Sequence, residues 1–300
     1  MTNNLSKVRL KGNASFNFRE GWLRKGVRCI EEHPDLFSRD DVMERLGVGS
    51  KMVKSIKYWL LATNLCREKI EKNGHKFYLT EDFGQIIDEH DKYFDDLSTL
   101  FFIHYQMVSN DNLCMIWNIF FNEYSGKDFT KEDMVSSCKE LLNRKMAEGA
   151  TYSEKLLEDD CSSILRMYLP STNTDVPEDS LSCPLGELGL LQKSTEKKGS
   201  YVKMAPGKGA LDKLVVLYVM TKNMPEGKNS VSIDDLLSAP NNIGRVFNLD
   251  RAQINEYLDE LRVAGHLTIN RTAGLDMVYF DNILEPPKIM EQYYKTVQEM

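Results

Sequence analysis

Apolar positions change their period along this chain, and each change marks an element. Leu23, Val27 and Ile30 fall on one face at helical spacing while Arg24, Lys25 and Arg28 point elsewhere, predicting a helix from about Gly21 to Glu32. Ser38 followed by Asp41 is a helix-start signal; Val42, Met43 and Leu46 give that short helix an apolar side, and Gly47 stops it. After Gly47-Val48-Gly49 a second helix starts at Ser50. Met52, Val53, Ile56, Trp59 and Leu60 share its apolar side, with Ser50, Lys51, Lys54 and Lys57 opposite and Tyr58 at the edge. Two β-prone runs, Leu65–Lys72 and His75–Leu79, then meet at Asn73-Gly74, a strong hairpin signal. Helix, turn, basic helix and hairpin predict a winged helix-turn-helix over residues 1–80.

From Glu81 to Tyr168 the spacing stays helical, over Asp82–His90, Tyr93–Val108, Leu113–Tyr124, Lys131–Ala147 and Ser153–Tyr168. Thr130 with Asp133 forms a second helix-start signal. Leu100, Phe101, Ile103, Trp117, Phe120 and Phe121 make these helices apolar on more than one side, as in the interior of a bundle. Pro170–Pro184 reads as a loop, and Leu188–Lys193 and Ser200–Met204 as short strands between soft stretches at 196–199 and 206–209. A helix over Leu211–Asn223, a start at Ser232 with Asp235, and another at Asp250 with Gln253 running to Ala264 follow. Gly265 ends that helix, and Leu267–Arg271 pairs with Asp276–Phe280. This predicts a second winged helix. Its third helix buries Ile254, Tyr257, Leu258 and Leu261 and shows Glu256, Asp259 and Glu260, a face that repels phosphate and suits dimerisation or docking.

The expected fold is therefore mainly α: a basic winged helix-turn-helix at 1–80, a central helical bundle at 81–169 and a loop-rich connector at 170–209. The second winged helix at 210–285 and a C-terminal helix at 286–300, after Pro286-Pro287, complete it.

Charge sharpens this division. The 300 residues carry a net charge of -7, which alone argues against a nucleic-acid ligand. Residues 1–80, however, hold 16 Lys and Arg against 9 Asp and Glu, whereas the remaining 220 hold 22 against 36. Phosphate binding depends on local positive charge, so the basic amino-terminal part is a candidate reader of double-stranded DNA. Ser50 and Lys51 lie at the helix end that approaches base edges, and Lys54 and Lys57 stand a turn further, toward phosphate. Arg67, Lys72 and Lys76, with Lys69, add charge from the hairpin. Phe16, Phe18 and Trp22 surround Arg19: either the rings fill the core with Arg19 lying over them, or Arg19, Arg24 and Lys25 extend the phosphate contact. The competing reading of all these cations is a solvated face, or a winged helix that binds protein.

Other chemistry is thinly represented. Six scattered cysteines without a Cys-x-x-Cys pair read as reduced thiols, and the five histidines have no ligand spacing, so no metal site is assigned. His104, inside the apolar run Leu100–Met107, reads as a hydrogen-bonded core residue, and Asp159-Asp160 as solvated surface or a helix cap. Glu178-Asp179, Glu187 and Glu196-Lys197-Lys198 form a loose nuclease-like pattern, and a nuclease needs convergent carboxylates around a divalent cation such as Mg²⁺. No apolar run approaches the ~20 residues of a membrane helix. Met1-Thr2-Asn3-Asn4 lacks the basic-then-apolar layout of a secretion signal, so the expected location is cytoplasmic.

Four runs carry a resemblance: Phe16–Gly26, Leu46–Trp59, Phe94–Leu100 with His104-Tyr105, and Glu178–Ser180 with Cys183–Leu190. In this order they are similar to the signatures of a bacterial domain-of-unknown-function family encoded in DNA phosphorothioation gene clusters. The resemblance implies a phage-defence subunit that works with a cysteine desulfurase, an ATP-dependent sulfur-transfer enzyme and an ATPase. It further implies DNA nicking, which opens the backbone for sulfur insertion, and assigns no catalytic residue. The alternative is a non-enzymatic winged-helix transcription regulator or adaptor.

Overall fold

The computed structural model describes residue 5 and residues 8–170, 182–272 and 275–299. The fold is mixed α/β, with helices carrying most of the regular structure and three small antiparallel sheets. Helix α1 (Trp22–Glu32) buries Leu23, Val27 and Ile30 as the spacing predicts. Ser38 lies in a 3-10 turn, Leu36–Ser38, rather than capping the next helix. Asp41 occupies the cap position of α2 (Val42–Leu46), but its carboxylate turns to Arg39 at 2.9 Å and Arg45 at 2.7 Å. Those guanidiniums, Arg39 first, pull its pKa down to about 2.

Gly47, at φ 60, ends α2, and α3 (Ser50–Ala62) follows. Val53, Ile56, Trp59 and Leu60 are buried as expected, and so is Tyr58, whose hydroxyl donates to the Leu113 carbonyl at 2.5 Å. Tyr58 leaves the polar edge because α3 is covered on two sides, by α1 and by the central helices. Trp59 meets Phe18 and Trp117 edge-on from these two directions, at 5.3 and 5.7 Å. The hairpin pairs β1 (Cys66–Glu71) with β2 (Gly74–Leu79), Glu71 opposite Gly74, so Lys72 and Asn73 form the two-residue turn. The expected Asn73-Gly74 turn thus sits one residue earlier, and Gly74, at φ 113, opens the second strand.

The central helices are α4 (Gly84–His90), α5 (Leu97–Val108), α6 (Met115–Asn122), α7 (Lys131–Lys145) and α8 (Glu154–Tyr168). The Thr130–Asp133 capping box forms at α7. Every residue of α5 from Ser98 to Val108 is buried, which makes this helix the axis of the molecule. Its His104 donates from Nε2 to the Val246 carbonyl at 2.7 Å, leaving Nδ1 to accept from the Tyr168 hydroxyl at 2.7 Å. Burial pushes that imidazole down to a pKa of about 4, so it is the hydrogen-bonded core residue expected. Asp160 is also buried rather than solvated. It accepts the Lys11 amide at 2.9 Å, and desolvation raises its pKa to about 7. Of the six cysteines, none of which is in a disulfide, five are buried.

Strand β3 (Asp128–Thr130) lies before α7, and β4 (Leu191–Lys193) and β5 (Ser200–Lys203) follow a 3-10 turn, Pro184–Leu188. They form a sheet in the order β3-β5-β4. On β5 the buried Lys203 ammonium donates to the Phe120 and Tyr124 carbonyls at 2.5 and 3.0 Å and stands 4.3 Å from the Phe120 ring, tying the sheet to the end of α6.

The C-terminal part contains α9 (Lys213–Lys222), β6 (Ser230–Ser232), α10 (Ile233–Ser238), α11 (Ile243–Val246) and α12 (Arg251–Val263). The hairpin β7 (Thr268–Thr272) and β8 (Leu275–Tyr279) follows, then α13 (Pro286–Gln298). Ser232 caps α10 and Asp250 with Gln253 caps α12, both as predicted. Strand β6 adds to the hairpin in the order β6-β8-β7, and the tip residues 273–274 lie outside the described set. Helix α13 returns to the centre, where the Thr99 and Tyr294 hydroxyls meet at 2.6 Å and the Tyr293 hydroxyl donates to Asp96 at 2.9 Å. The buried apolar side chains form one contiguous core from Phe18 to Tyr294.

Candidate nucleic-acid interface

The turn Gly47–Gly49 releases α3 with its first residues toward solvent, and Ser50, Lys51 and Lys54 are exposed. Val53 and Ile56 anchor the opposite side, so the lysines stand on a fixed helix face. Neither Lys51 nor Lys54 has an acidic partner among the described residues. From α1 the Lys25 ammonium reaches the Gly47 turn and adds a third unpaired cation at the start of α3.

The hairpin is different. Lys57 is bound to Glu68 at 3.0 Å and lies 4.6 Å from the Phe77 ring, so its charge is half-buried against the hairpin. Arg67 pairs with Glu81 at 2.8 Å, Lys76 with Glu71 at 2.8 Å and Lys69 with the same carboxylate at 3.8 Å. The Lys76 hydrogen bond lowers the pKa of Glu71, and Glu71 in turn raises that of Lys76. Only Lys72, at the exposed turn, lacks such a partner among the described hairpin cations. Cross-strand register decides this, because Glu71 sits beside the row on which Lys69 faces Lys76.

Arg19 and Arg24 turn onto aromatic rings. Arg19 lies 5.8 Å from the centroid of the buried Trp22, close to the core reading of that cluster, and Arg24 lies 4.0 Å from that of Tyr93. Both arginines border a cleft of about 120 Å³ with Phe94, Asp95 and Glu187. The sequence reading missed Tyr93. Helical spacing puts it at the start of a helix over Tyr93–Val108, but α5 begins at Leu97, which leaves the ring exposed in the preceding loop.

The nuclease-like pattern finds little support in geometry. Glu178 and Asp179 lie outside the described residues, Glu187 borders the cleft just mentioned, and Glu196 is exposed in the loop before β5. Among the described residues no three His, Cys, Asp or Glu side chains are placed to hold a metal ion.

What fold and surface define is a mixed α/β protein in which Lys25, Lys51 and Lys54, each without an acidic partner among the described residues, stand around one tight turn. The chain belongs to the DUF4007 family, described as a protein of unknown function, whose model matches residues 11–294. Two solved structures share the fold: SspB, and SspB with a magnesium ion bound. Each superposes with a TM-score of 0.84 at 23% sequence identity, covering 98% of this chain and 90% of the other. No curated protein sequence matches the chain.

Proposed function

We propose that this protein is the DNA-engaging subunit of a bacterial DNA phosphorothioation and phage-defence system. One observation carries the reading: Lys25, Lys51 and Lys54 are left without acidic partners at the start of α3, while the neighbouring cations Lys57, Arg67 and Lys76 are paired. An overall acidic chain that leaves two charges open on α3, and a third on α1 beside the turn before it, offers them to phosphate. The system is the one implied by the resemblance of the four sequence runs, and family membership and the SspB-like fold support it. The succession of α1, α2, α3 and the β1–β2 hairpin is read as a winged helix-turn-helix, with α3 entering the major groove and the hairpin crossing the backbone. Residues 1–80 then grip the duplex, 81–169 and 170–209 form the spacing core, and 210–285 act as a second winged helix that docks a partner or a second copy, followed by 286–300. The proposed partners are a cysteine desulfurase, an ATP-dependent sulfur-transfer enzyme and an ATPase, in the cytoplasm. No helix among the described residues is long and apolar enough to cross a membrane.

Nicking is proposed as an activity of the assembled system, with no step assigned to a metal held by the described residues. A second reading is a non-enzymatic winged-helix regulator or adaptor, for which binding alone is the function. Supercoiled plasmid incubated with the purified protein, with and without Mg²⁺ or Mn²⁺, separates them: a nickase relaxes it and a binder does not. The DNA reading itself is lost if the protein retains no duplex DNA at low salt.

A further inference from the structure

Three segments far apart in sequence meet at the 120 Å³ cleft: Arg19 and Arg24 from the start of α1, Tyr93 with Asp95 before α5, and Glu187 from the 3-10 turn. They bring together the first, third and fourth of the runs singled out in the sequence, of which the third and fourth have no part in the α3 face or the hairpin. Arg24, 4.0 Å from the Tyr93 centroid, and Arg19, 5.8 Å from that of Trp22, are held beside rings rather than carboxylates. Neither arginine has an acidic partner among the described residues, so their N–H donors are open to a ligand. Tyr93 is 56% exposed although Arg24 covers one face of its ring, so the other face is open to a planar ligand. Glu20, Asp95 and Glu187 also border the cleft and make it hostile to a run of phosphates. A single phosphodiester between two guanidiniums, with one uncharged base on the ring, satisfies both halves of this chemistry.

We infer that this cleft binds one nucleotide of single-stranded DNA, its base stacked on Tyr93 and its phosphate held by Arg24 and Arg19. The inference rests on the DNA-engaging reading and deepens it. Arg24 and Lys25 are successive on α1, Lys25 reaching the turn before α3 and Arg24 reaching the cleft, so a strand separated from the duplex at α3 has a basic path into it.

The test is anisotropy of a short fluorescein-labelled oligothymidylate strand, and of a labelled duplex, titrated with the full chain. Tyr93→Ala and Arg24→Gln each weaken the single strand by about tenfold, the scale of one lost base stack, and shift duplex affinity by less than about threefold. Tyr93→Phe keeps single-strand binding, which separates stacking from a folding defect, and Lys51→Glu with Lys54→Glu weakens the duplex. If the wild type holds the duplex but not the single strand, or if Tyr93→Ala binds the strand as tightly as wild type, the cleft is not a nucleotide site and the duplex reading stands. If the wild type binds neither, both fall.

Discussion

Changing Lys51 and Lys54 together to alanine removes two exposed, unpaired cations from α3 and leaves no carboxylate orphaned, because neither is in an ion pair among the described residues. The fold is untouched, since the buried side of α3 keeps Val53, Ile56, Trp59 and Leu60. Each phosphate contact contributes about 0.9 to the slope of log affinity against log salt, so the double variant loses about 1.8 from that slope. With the two lines meeting at roughly 1 M salt, binding falls about 30-fold at about 0.15 M and about 200-fold at about 0.05 M. Anisotropy of a labelled duplex across a salt series measures both numbers. Lys76→Ala is the comparison: its ammonium is already held by Glu71 at 2.8 Å, so its removal changes the slope by less than half a contact's worth. A double variant whose affinity and slope equal those of wild type, with an unchanged circular dichroism spectrum, would refute the idea that unpaired lysines on α3 meet phosphate.

Other outcomes follow from the interior. His104 is held neutral with its pKa lowered to about 4 from an ordinary 6.5, so the unfolded chain binds the proton first as pH falls. Stability is full above the unfolded value and drops by about 2 kcal/mol between about pH 7.5 and about pH 5, a loss that urea titration shows to be smaller in His104→Gln. Asp160 has the opposite sign: its pKa is raised to about 7, so its ionised form costs stability above that pH and nothing below about 4. Asp160→Asn, which still accepts the Lys11 amide, raises the melting temperature at about pH 8 by the equivalent of about 1–3 kcal/mol and leaves it unchanged at about pH 4. At Gly84 an added Cβ overlaps the Leu65 carbonyl oxygen, a backbone atom that cannot turn away. Gly84→Ala therefore loses about 2 kcal/mol or more in urea titration, whereas an alanine at the open, extended Gly49 costs less than about 0.5 kcal/mol.

Most of the helices were legible because they carry apolar residues at helical spacing and often their own start signal, whereas the one-turn α11 was too short to show a period. Thr130–Asp133, Ser232–Asp235 and Asp250–Gln253 all cap as their spacing says, since a cap is decided within four residues. Strands β3 and β6 were not legible. Each is three residues long, without alternation of its own, and exists because β5 and β8 offer a free edge. The burial of Tyr58 was hidden for a related reason: helical period sorts side chains around α3 but says nothing of the Leu113 carbonyl that approaches from the centre. Helix α13 shows the same limit. Ile289, Met290, Tyr293 and Tyr294 mark an apolar stripe, yet only the fold tells that it packs back on Thr99 and Asp96.

Legibility of the candidate site divides along the same line, between what a segment contains and what its neighbours take from it. The sequence correctly locates the cations, but their formal sum is an upper limit on the charge offered to a ligand. Among the described residues, eight cations of residues 1–80 have a carboxylate within ion-pairing distance: Lys11, Arg28, Arg39, Arg45, Lys57, Arg67, Lys69 and Lys76. Their acids are supplied by helix neighbours, by cross-strand register, or by a residue as remote as Asp159. A phosphate arriving at Lys57, Arg67, Lys69 or Lys76 must displace an anion already in place, whereas one arriving at Lys51, Lys54 or the hairpin-turn Lys72 displaces only water and counterions. On the DNA-engaging reading proposed above, the first contact belongs to α3, with the paired hairpin cations released to DNA only after Glu68, Glu71 and Glu81 are pushed aside. That order gives the hairpin lysines a small part in affinity and a larger one in orientation.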